Sequence, residues 1–409
     1  MLPGLTLPAS LAALLGALRP CFTARSFVTF CGLAAGLAGQ ARRRTVAGML
    51  LGAGLSRAWP HDRAHYFFAR ARWDAGELGV AVARLAVALL VPPGAPLEVA
   101  VDESLFRRTG RKVHGAGWQH DAASPSRIRV GYGTCFVTCG IIVRLPFCTR
   151  PVCLPVLARL LLPGKKPAAA GTRVSIAVDL VTLLAQAFPG RAVHVAADGA
   201  YHGPALKRLP AAVTWTTRLP VNAVLYALAP PKRPGTPGRP ALRGPRLGKP
   251  AGLAAAATWT RTAVPAYGRT RETALASLTC LWYGCTGTRA IRVILARRPG
   301  HPLLALVTTD LHASPAALVT RYAARWSIEQ AFADARNILG AGEARNRTPR
   351  AVQRTVPFAL LTSTLIITWY ARHGHQPALI TARISKGSAA HPTPEQTQAV
   401  LAAWHAAAA

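Results

Sequence analysis

From residue 1 to residue 92, apolar residues recur at helical spacing, as in Ala12–Leu18 and Gly32–Leu37. Within this region His61–Trp73 (HDRAHYFFARARW) sets aromatic residues among Arg63, Arg70 and Arg72, a composition suited to a nucleic-acid-reading helix. The period changes at residues 95–106 (APLEVAVDESLF). There Val99 and Val101 alternate with Glu98, Ala100 and Asp102, as a strand requires. A basic turn follows (Arg107, Arg108, Gly110, Arg111, Lys112), then a strand-like stretch from Arg127 to Leu145. Thr172–Phe188 has helical spacing. Ala192–Asp198 is a short buried strand that ends on an acid, and Val213–Arg218 is a further strand.

Residues 221–300 differ in texture. Pro230–Pro250 (PPKRPGTPGRPALRGPRLGKP) is too rich in Pro and Gly for a helix or an inner strand and reads as a basic loop. Around it, Leu278–Tyr283 and Ala290–Ala296 are strand-like, and Leu303–Thr309 is a strand. Helical spacing resumes from Ser314 through Gly340 and again over Pro349–Arg372, ahead of an Ala-rich tail. The alternation of both periods makes this an α/β chain.

Composition narrows the function. Of 409 residues, 49 are Lys or Arg and 15 are Asp or Glu, a formal charge of +34. Self-repulsion of that size calls for a polyanionic partner, and nucleic acid is the natural one. The mean hydropathy of +0.24 raises a membrane alternative. The apolar runs Leu11–Leu18, Leu85–Val91 and Phe358–Tyr370 are short of a bilayer span, and basic residues or Pro punctuate them, so a cytoplasmic protein without a membrane partner is expected. The eight cysteines include no C-x-x-C pair and are expected to be reduced and structural.

With so few acids, each can be weighed. Asp102 stands on the first clear strand, Asp198 ends a later one and Glu329 lies in a late helix. Carboxylate oxygens from such positions are the ligand type that suits Mg2+ or Mn2+. On one continuous helix, Tyr322, Arg325, Glu329 and Arg336 fall within an arc of about 60°, beside the apolar Ile328, Ala331, Phe332, Ala335 and Leu339. A surface ion-pair ladder would show the same pattern. Glu103 adjoins Asp102 but faces the other way, Asp179 and Asp310 are expected to be structural, and Asp334 lies about 140° around the helix from Glu329.

The spacing Tyr322, Arg325, Glu329, Arg336 resembles the Tyr-Arg-Glu-Lys signature of bacterial insertion-sequence transposases of the DDE superfamily, with Arg336 where the signature has Lys. VDESLFRRTGRKVHG (Val101–Gly115) resembles that family's first-Asp segment, VAADGAYHG (Val195–Gly203) its second, and LVTTD (Leu306–Asp310) the strand before its Glu helix. The resemblance implies a ribonuclease H-like mixed-sheet catalytic core with a β-rich insertion, preceded by a helical N-terminal domain. Its parts would be a helical DNA-binding region at 1–92, core at 93–220, the insertion with its basic loop at 221–300, the rest of the core at 301–375 and a tail at 376–409.

The resemblance further implies that Asp102, Asp198 and Glu329 hold two Mg2+ or Mn2+ ions for phosphoryl transfer at DNA ends. Tyr322, Arg325, Arg336, Arg107, Arg108, Arg111 and Lys112 would bind DNA. The partners would be double-stranded DNA with terminal inverted repeats, target DNA, and a second copy of the chain in a synaptic complex. Three rival readings are a non-enzymatic or decayed DNA-binding protein, a ribonuclease H-like nuclease acting on RNA or damaged DNA, and a membrane-associated protein.

Overall fold

The computed structural model describes residues 7–40, 43–121, 124, 128–164, 171–232 and 237–374. It divides into two compact units, Met1–Ala95 with Asp102–Thr172 and Ser327–Ala409, and Pro96–Val101 with Arg173–Trp326. The expected tail at 376–409 lies outside the described residues.

The first unit opens with five helices, α1 (Ala9–Gly16), α2 (Ala24–Gly39), α3 (Val46–Gly52), α4 (His61–Ala69) and α5 (Ala75–Leu90). Side-chain caps start three of them: Thr23 accepts from Ser26 N–H, Thr45 from Gly48 N–H, and Asp74 from Gly76 and Glu77 N–H. A Cβ on Gly36 would lie 1.7 Å from the Met49 carbonyl, so α2 and α3 approach as closely as they do only because glycine stands there. Strands β1 (Leu97–Arg107), β2 (Ala116–His120), β3 (Val130–Val143) and β4 (Val152–Leu161) follow. In this unit β3 pairs with β1, and antiparallel with β2 and then β4.

The second unit holds α6 (Arg173–Ala187), β5 (Val193–Ala197), β6 (Val213–Arg218), β7 (Leu225–Tyr226), β8 (Arg246–Gly248), α7 (Pro250–Ala255), β9 (Thr260–Ala266), β10 (Arg269–Leu281), α8 (Tyr283–Thr286), β11 (Ala290–Arg297), β12 (Leu304–Thr308) and α9 (Pro315–Ala324). Here Leu97–Val101 of β1 pairs parallel with β5, and β5 pairs parallel with β6. Next come β12, β11 and β10, each antiparallel to its neighbour. The pairing order β3, β1, β5, β6 runs along the chain's mixed sheet, which has a ribonuclease H-like character. The strands read from the 221–300 region extend this sheet beyond β6. The hairpin strand β9 and the first half of β10 went unread in the sequence.

The chain then returns to the first unit as α10 (Ser327–Asn337) and α11 (Pro349–Trp369). The single helix expected from Ser314 to Gly340 is two. At the end of α9 the N–H groups of Arg325 and Trp326 reach back only three residues, to the carbonyls of Tyr322 and Ala323, both at 3.2 Å. The one-helix arc therefore does not apply across Arg325 and Trp326.

Helix α11 forms the core of its unit. Pro349–Gly374 is long and apolar enough to cross a bilayer, longer than the apolar run read from the sequence, and 83% of its most apolar window is buried within the protein. Phe358 meets Phe30, Phe67 and Phe68 edge-on, with centroids 6.0, 6.0 and 5.2 Å away. The aromatic residues of His61–Trp73 thus divide. Phe67, Phe68 and Trp73 are buried, while Tyr66 is exposed beside His61, His65, Arg70 and Arg72.

Arg354 ties this core together. Its guanidinium donates to the carbonyls of Phe68 (3.3 Å), Ala71 (2.9 Å) and Trp73, and lies 4.4 Å from the Trp73 ring centroid. These carbonyls lie at and just past the end of α4, where helix geometry leaves acceptors unpaired. Burial, with Arg350 adding to it, pulls the Arg354 pKa down to about 10, so it remains charged at neutral pH. Replacing Arg354 with Ala is expected to cost about 3 kcal/mol, read as a lower urea midpoint at unchanged slope. A loss below about 0.5 kcal/mol, the range of ordinary surface changes, would show that these bonds do not hold the core.

Candidate active site

In the second unit, Asp198 follows the last residue of β5. Its backbone carbonyl accepts from Thr217 Oγ1 at 2.6 Å and from Tyr201 N–H at 2.9 Å, which fixes the turn after the strand. Its carboxylate is half-exposed and lies 3.8 Å from Nη2 of Arg325, whose side chain is buried. The Arg325 guanidinium stands 5.7 Å from the Tyr322 ring centroid. Burial pushes the Tyr322 phenol up to about 12; Arg325 and Arg218 oppose this, and Asp198 and Tyr267 add to it. So Tyr322 and Arg325, two of the residues singled out by sequence, stand with Asp198 in one electrostatic cluster.

In the first unit, Asp102 is partly buried on β1, and its Oδ1 accepts the N–H of Glu103 at 2.8 Å. Glu329 is in the first turn of α10, partly buried, and Ile328, Ala331, Phe332 and Ala335 bury the helix's apolar face as its spacing predicted. Arg336 donates from Nη1 to the hydroxyl of Ser104, and burial lowers its pKa. Ser104, the small hydroxyl residue of the Val101–Gly115 segment, stands two residues from Asp102 on the same face of the strand.

The basic residues at the end of β1 part ways. Phe106 and Arg108 share a strand face that turns inward, with exposures of 1% and 8%. Arg108 donates to the Ala344 carbonyl, and burial pulls its pKa down to about 10. Arg107 is exposed but bonds Asp121 Oδ2 through Nε (3.0 Å) and Nη2 (2.8 Å). Arg111 and Lys112 stand exposed in the turn. Of these four residues, all expected to bind DNA, Arg111 and Lys112 are the two whose charge lies open at the surface.

Asp310, Asp179 and Asp334 are engaged elsewhere. Asp310 Oδ1 accepts the N–H groups of His312 and Ala313, each at 3.0 Å, and Oδ2 accepts from Arg321 at 2.7 Å. Burial pushes its pKa up, but these donors outweigh burial and hold it below the usual value. Asp179 pairs with Arg208 at 3.2 Å, and Asp334 accepts from Gln330 at 2.7 Å.

Val101 and Ala197 are register partners on parallel strands, and the next residue after each is an aspartate, Asp102 and Asp198. The all-oxygen donor chemistry of Asp102, Asp198 and Glu329 fits a hard divalent cation, and a cationic group, Arg325, already faces the Asp198 carboxylate. Among the described residues, no group of three or more His, Cys, Asp or Glu side chains is gathered closely enough to hold a metal ion.

The sequence pattern of the DDE superfamily endonucleases matches residues 17–286, more than half of the chain, and the chain belongs to that family. The matched stretch contains Asp102 and Asp198 and ends before Glu329. Among solved structures, the chain is similar to a piggyBac transposase synaptic complex with hairpin DNA, at 11% identity over 97% of this chain and 75% of that one, with a TM-score of 0.44. No curated protein matches the chain.

Two predictions follow from these partners. Because the Asp310 pKa is lowered by folding, its contribution is fully present above about pH 4, the unfolded value, and is lost as pH falls through the folded one. Asp310→Asn should therefore cost about 1–2 kcal/mol near neutrality, with the gap to the native protein closing below about pH 4 in denaturant titrations; a gap independent of pH would contradict this. Arg336→Ala should leave the salt slope of DNA binding unchanged, since its partner is Ser104. A slope smaller by about 1 would instead mark a phosphate contact.

Proposed function

We propose that this chain is a DNA transposase of the bacterial insertion-sequence type, cutting and joining the ends of its own element. The observation that carries the reading is the in-register pairing of Val101 with Ala197, each followed by an aspartate, in a chain of the DDE endonuclease family. Asp102, Asp198 and Glu329 would together hold two Mg2+ or Mn2+ ions. Bound divalent ions supply a water of lowered pKa and stabilise a departing 3′ oxygen.

The chain's own residues provide the rest. Asp198 is anchored through its backbone by Thr217 and Tyr201, so its carboxylate leaves a fixed turn. Arg325, buried beside Tyr322, holds its charge 3.8 Å from the Asp198 carboxylate and would be within reach of a phosphate bound there. Arg111 and Lys112 offer exposed charge for the DNA backbone. The exposed face of α4, with His61, His65 and Tyr66, and the following Arg70 and Arg72 are placed to meet the terminal inverted repeats. In this reading the working form is a homodimer that brackets two ends and then joins them to target DNA, in the cytoplasm. The net charge of +34 supports a polyanionic partner.

A second reading, binding without cleavage, is favoured by the approach of Arg325 to Asp198, which engages a carboxylate that the reaction needs. One experiment separates them: Mg2+-dependent cleavage of DNA bearing the gene's own ends, by the native protein and by Asp198→Asn. Cleavage is expected to fall by about a thousandfold in the variant, with binding within about twofold. Equal cleavage by both proteins would remove Asp198 from the chemistry. Tight binding without cleavage by either would support the second reading.

A further inference from the structure

The second unit contains an open pocket between the β9–β10 hairpin, the neighbouring strands and α9. Its floor is apolar. Val264 and Val319 belong to a buried cluster with Leu275, Ile294 and Leu306, and Leu304 packs against it. Its rim is basic, formed by Arg269, Arg271 and Arg298. Arg269 and Arg271 pair with Ala266 and Val264 across the hairpin, so they share one face of β10 with about 7 Å between them. Thr270 and Glu272 fall on the opposite face, and no acid is among the residues lining the pocket.

Two tyrosines complete it. Tyr267 occupies the first position of the two-residue turn Tyr267–Gly268, with φ of 54° followed by 74°. That geometry favours Asn, Asp or Gly, and a bulky residue there is strained. The ring is nonetheless held at the tip, 47% exposed and lining the pocket. Such strain persists where a side chain has a task. Tyr322 also lines the pocket, is 7% exposed, and its hydroxyl is buried without a hydrogen-bond partner among the described residues. A buried hydroxyl of that kind calls for one.

An apolar floor beside two phenols fits a planar ring, and three guanidiniums at the rim fit a phosphate. We propose that this pocket binds one nucleoside phosphate, with its base over the apolar floor against Tyr267 and its phosphate held by Arg269, Arg271 and Arg298. The ligand is a nucleotide either of an unpaired strand or free in solution. The choice of ligand class rests on the transposase reading; the test reads binding without divalent cation, so its failure is distinct from a failure of cleavage.

The experiment titrates the full chain in EDTA with dAMP and with a single-stranded octanucleotide carrying one 2-aminopurine. Both are expected to bind. Arg271→Ala should weaken each by about tenfold, while Arg261→Ala, an exposed arginine that does not line the pocket, should change little. Tyr267→Gly should raise the melting temperature, because glycine accepts the left-handed turn, and yet weaken binding by about fivefold; Tyr267→Trp should restore it. Tighter binding of the octanucleotide assigns the pocket to a strand, and tighter binding of dAMP to a free nucleotide; either supports the proposal. Absence of binding by both probes, affinities unmoved by Arg271→Ala and Tyr267→Gly, or an equal loss in Arg261→Ala would overturn it.

Discussion

The five register pairs between Leu97–Val101 and Val193–Ala197 are the constraint on which the rest hangs. Parallel strands cannot be joined by a tight turn, so the chain between them must travel out and back. Here it makes β2, β3, β4 and α6 on the way. Both strands are buried over their paired valines, and a slip of one residue would move every side chain of the strand to the opposite face of the sheet. Hydrophobic registry thereby sets which residue of β1 is level with which residue of β5. The backbone one step beyond a buried pair inherits that precision.

A second theme is how a chain of such high positive charge disposes of its arginines. Several are used internally. Arg354 satisfies carbonyls past the end of a helix, Arg108 binds the Ala344 carbonyl, Arg336 binds Ser104 and Arg321 binds Asp310. With so few carboxylates available, backbone carbonyls and hydroxyls take the place of acids as partners. Guanidinium suits this role because it carries five donors in a fixed plane and stays charged even when burial pulls its pKa down. Net charge therefore overstates the cationic charge left at the surface.

Much of the fold was legible in the sequence. The strand period at 95–106 and 213–218 and the helical period at 172–188 and 349–372 appear as β1, β6, α6 and α11 within a residue or three. Asp198 at the end of its strand was equally legible, because a short apolar run closing on Asp-Gly has few other readings. The failures have physical causes. The break at Arg325 and Trp326 carries no Pro or Gly to announce it; it is a hydrogen-bond slip decided by tertiary packing. The β9–β10 hairpin hid because its turn is Tyr-Gly and its first strand includes Pro265, both against ordinary hairpin chemistry. The inward turn of Arg108 follows from strand alternation, but charge argued for the opposite, and only the sheet could decide between them.

The place of α11 has a consequence for how this protein is made. The aromatic residues of α2 and α4 are completed by Phe358, and the bond from Arg354 to Ala71 closes a loop of 283 residues. As the chain leaves the ribosome, α4 must wait for 283 further residues after Ala71 before its partner Arg354 exists. Until then, outside their own group, Phe30, Phe67 and Phe68 have only Phe22 and Trp73 among their later ring partners, and the apolar surface that Phe358 covers stays open. Contacts of such long sequence separation also make folding slow once synthesis ends. Helix α11 acts as the keystone, and a truncated product lacking it would present its greasy interior to the cell.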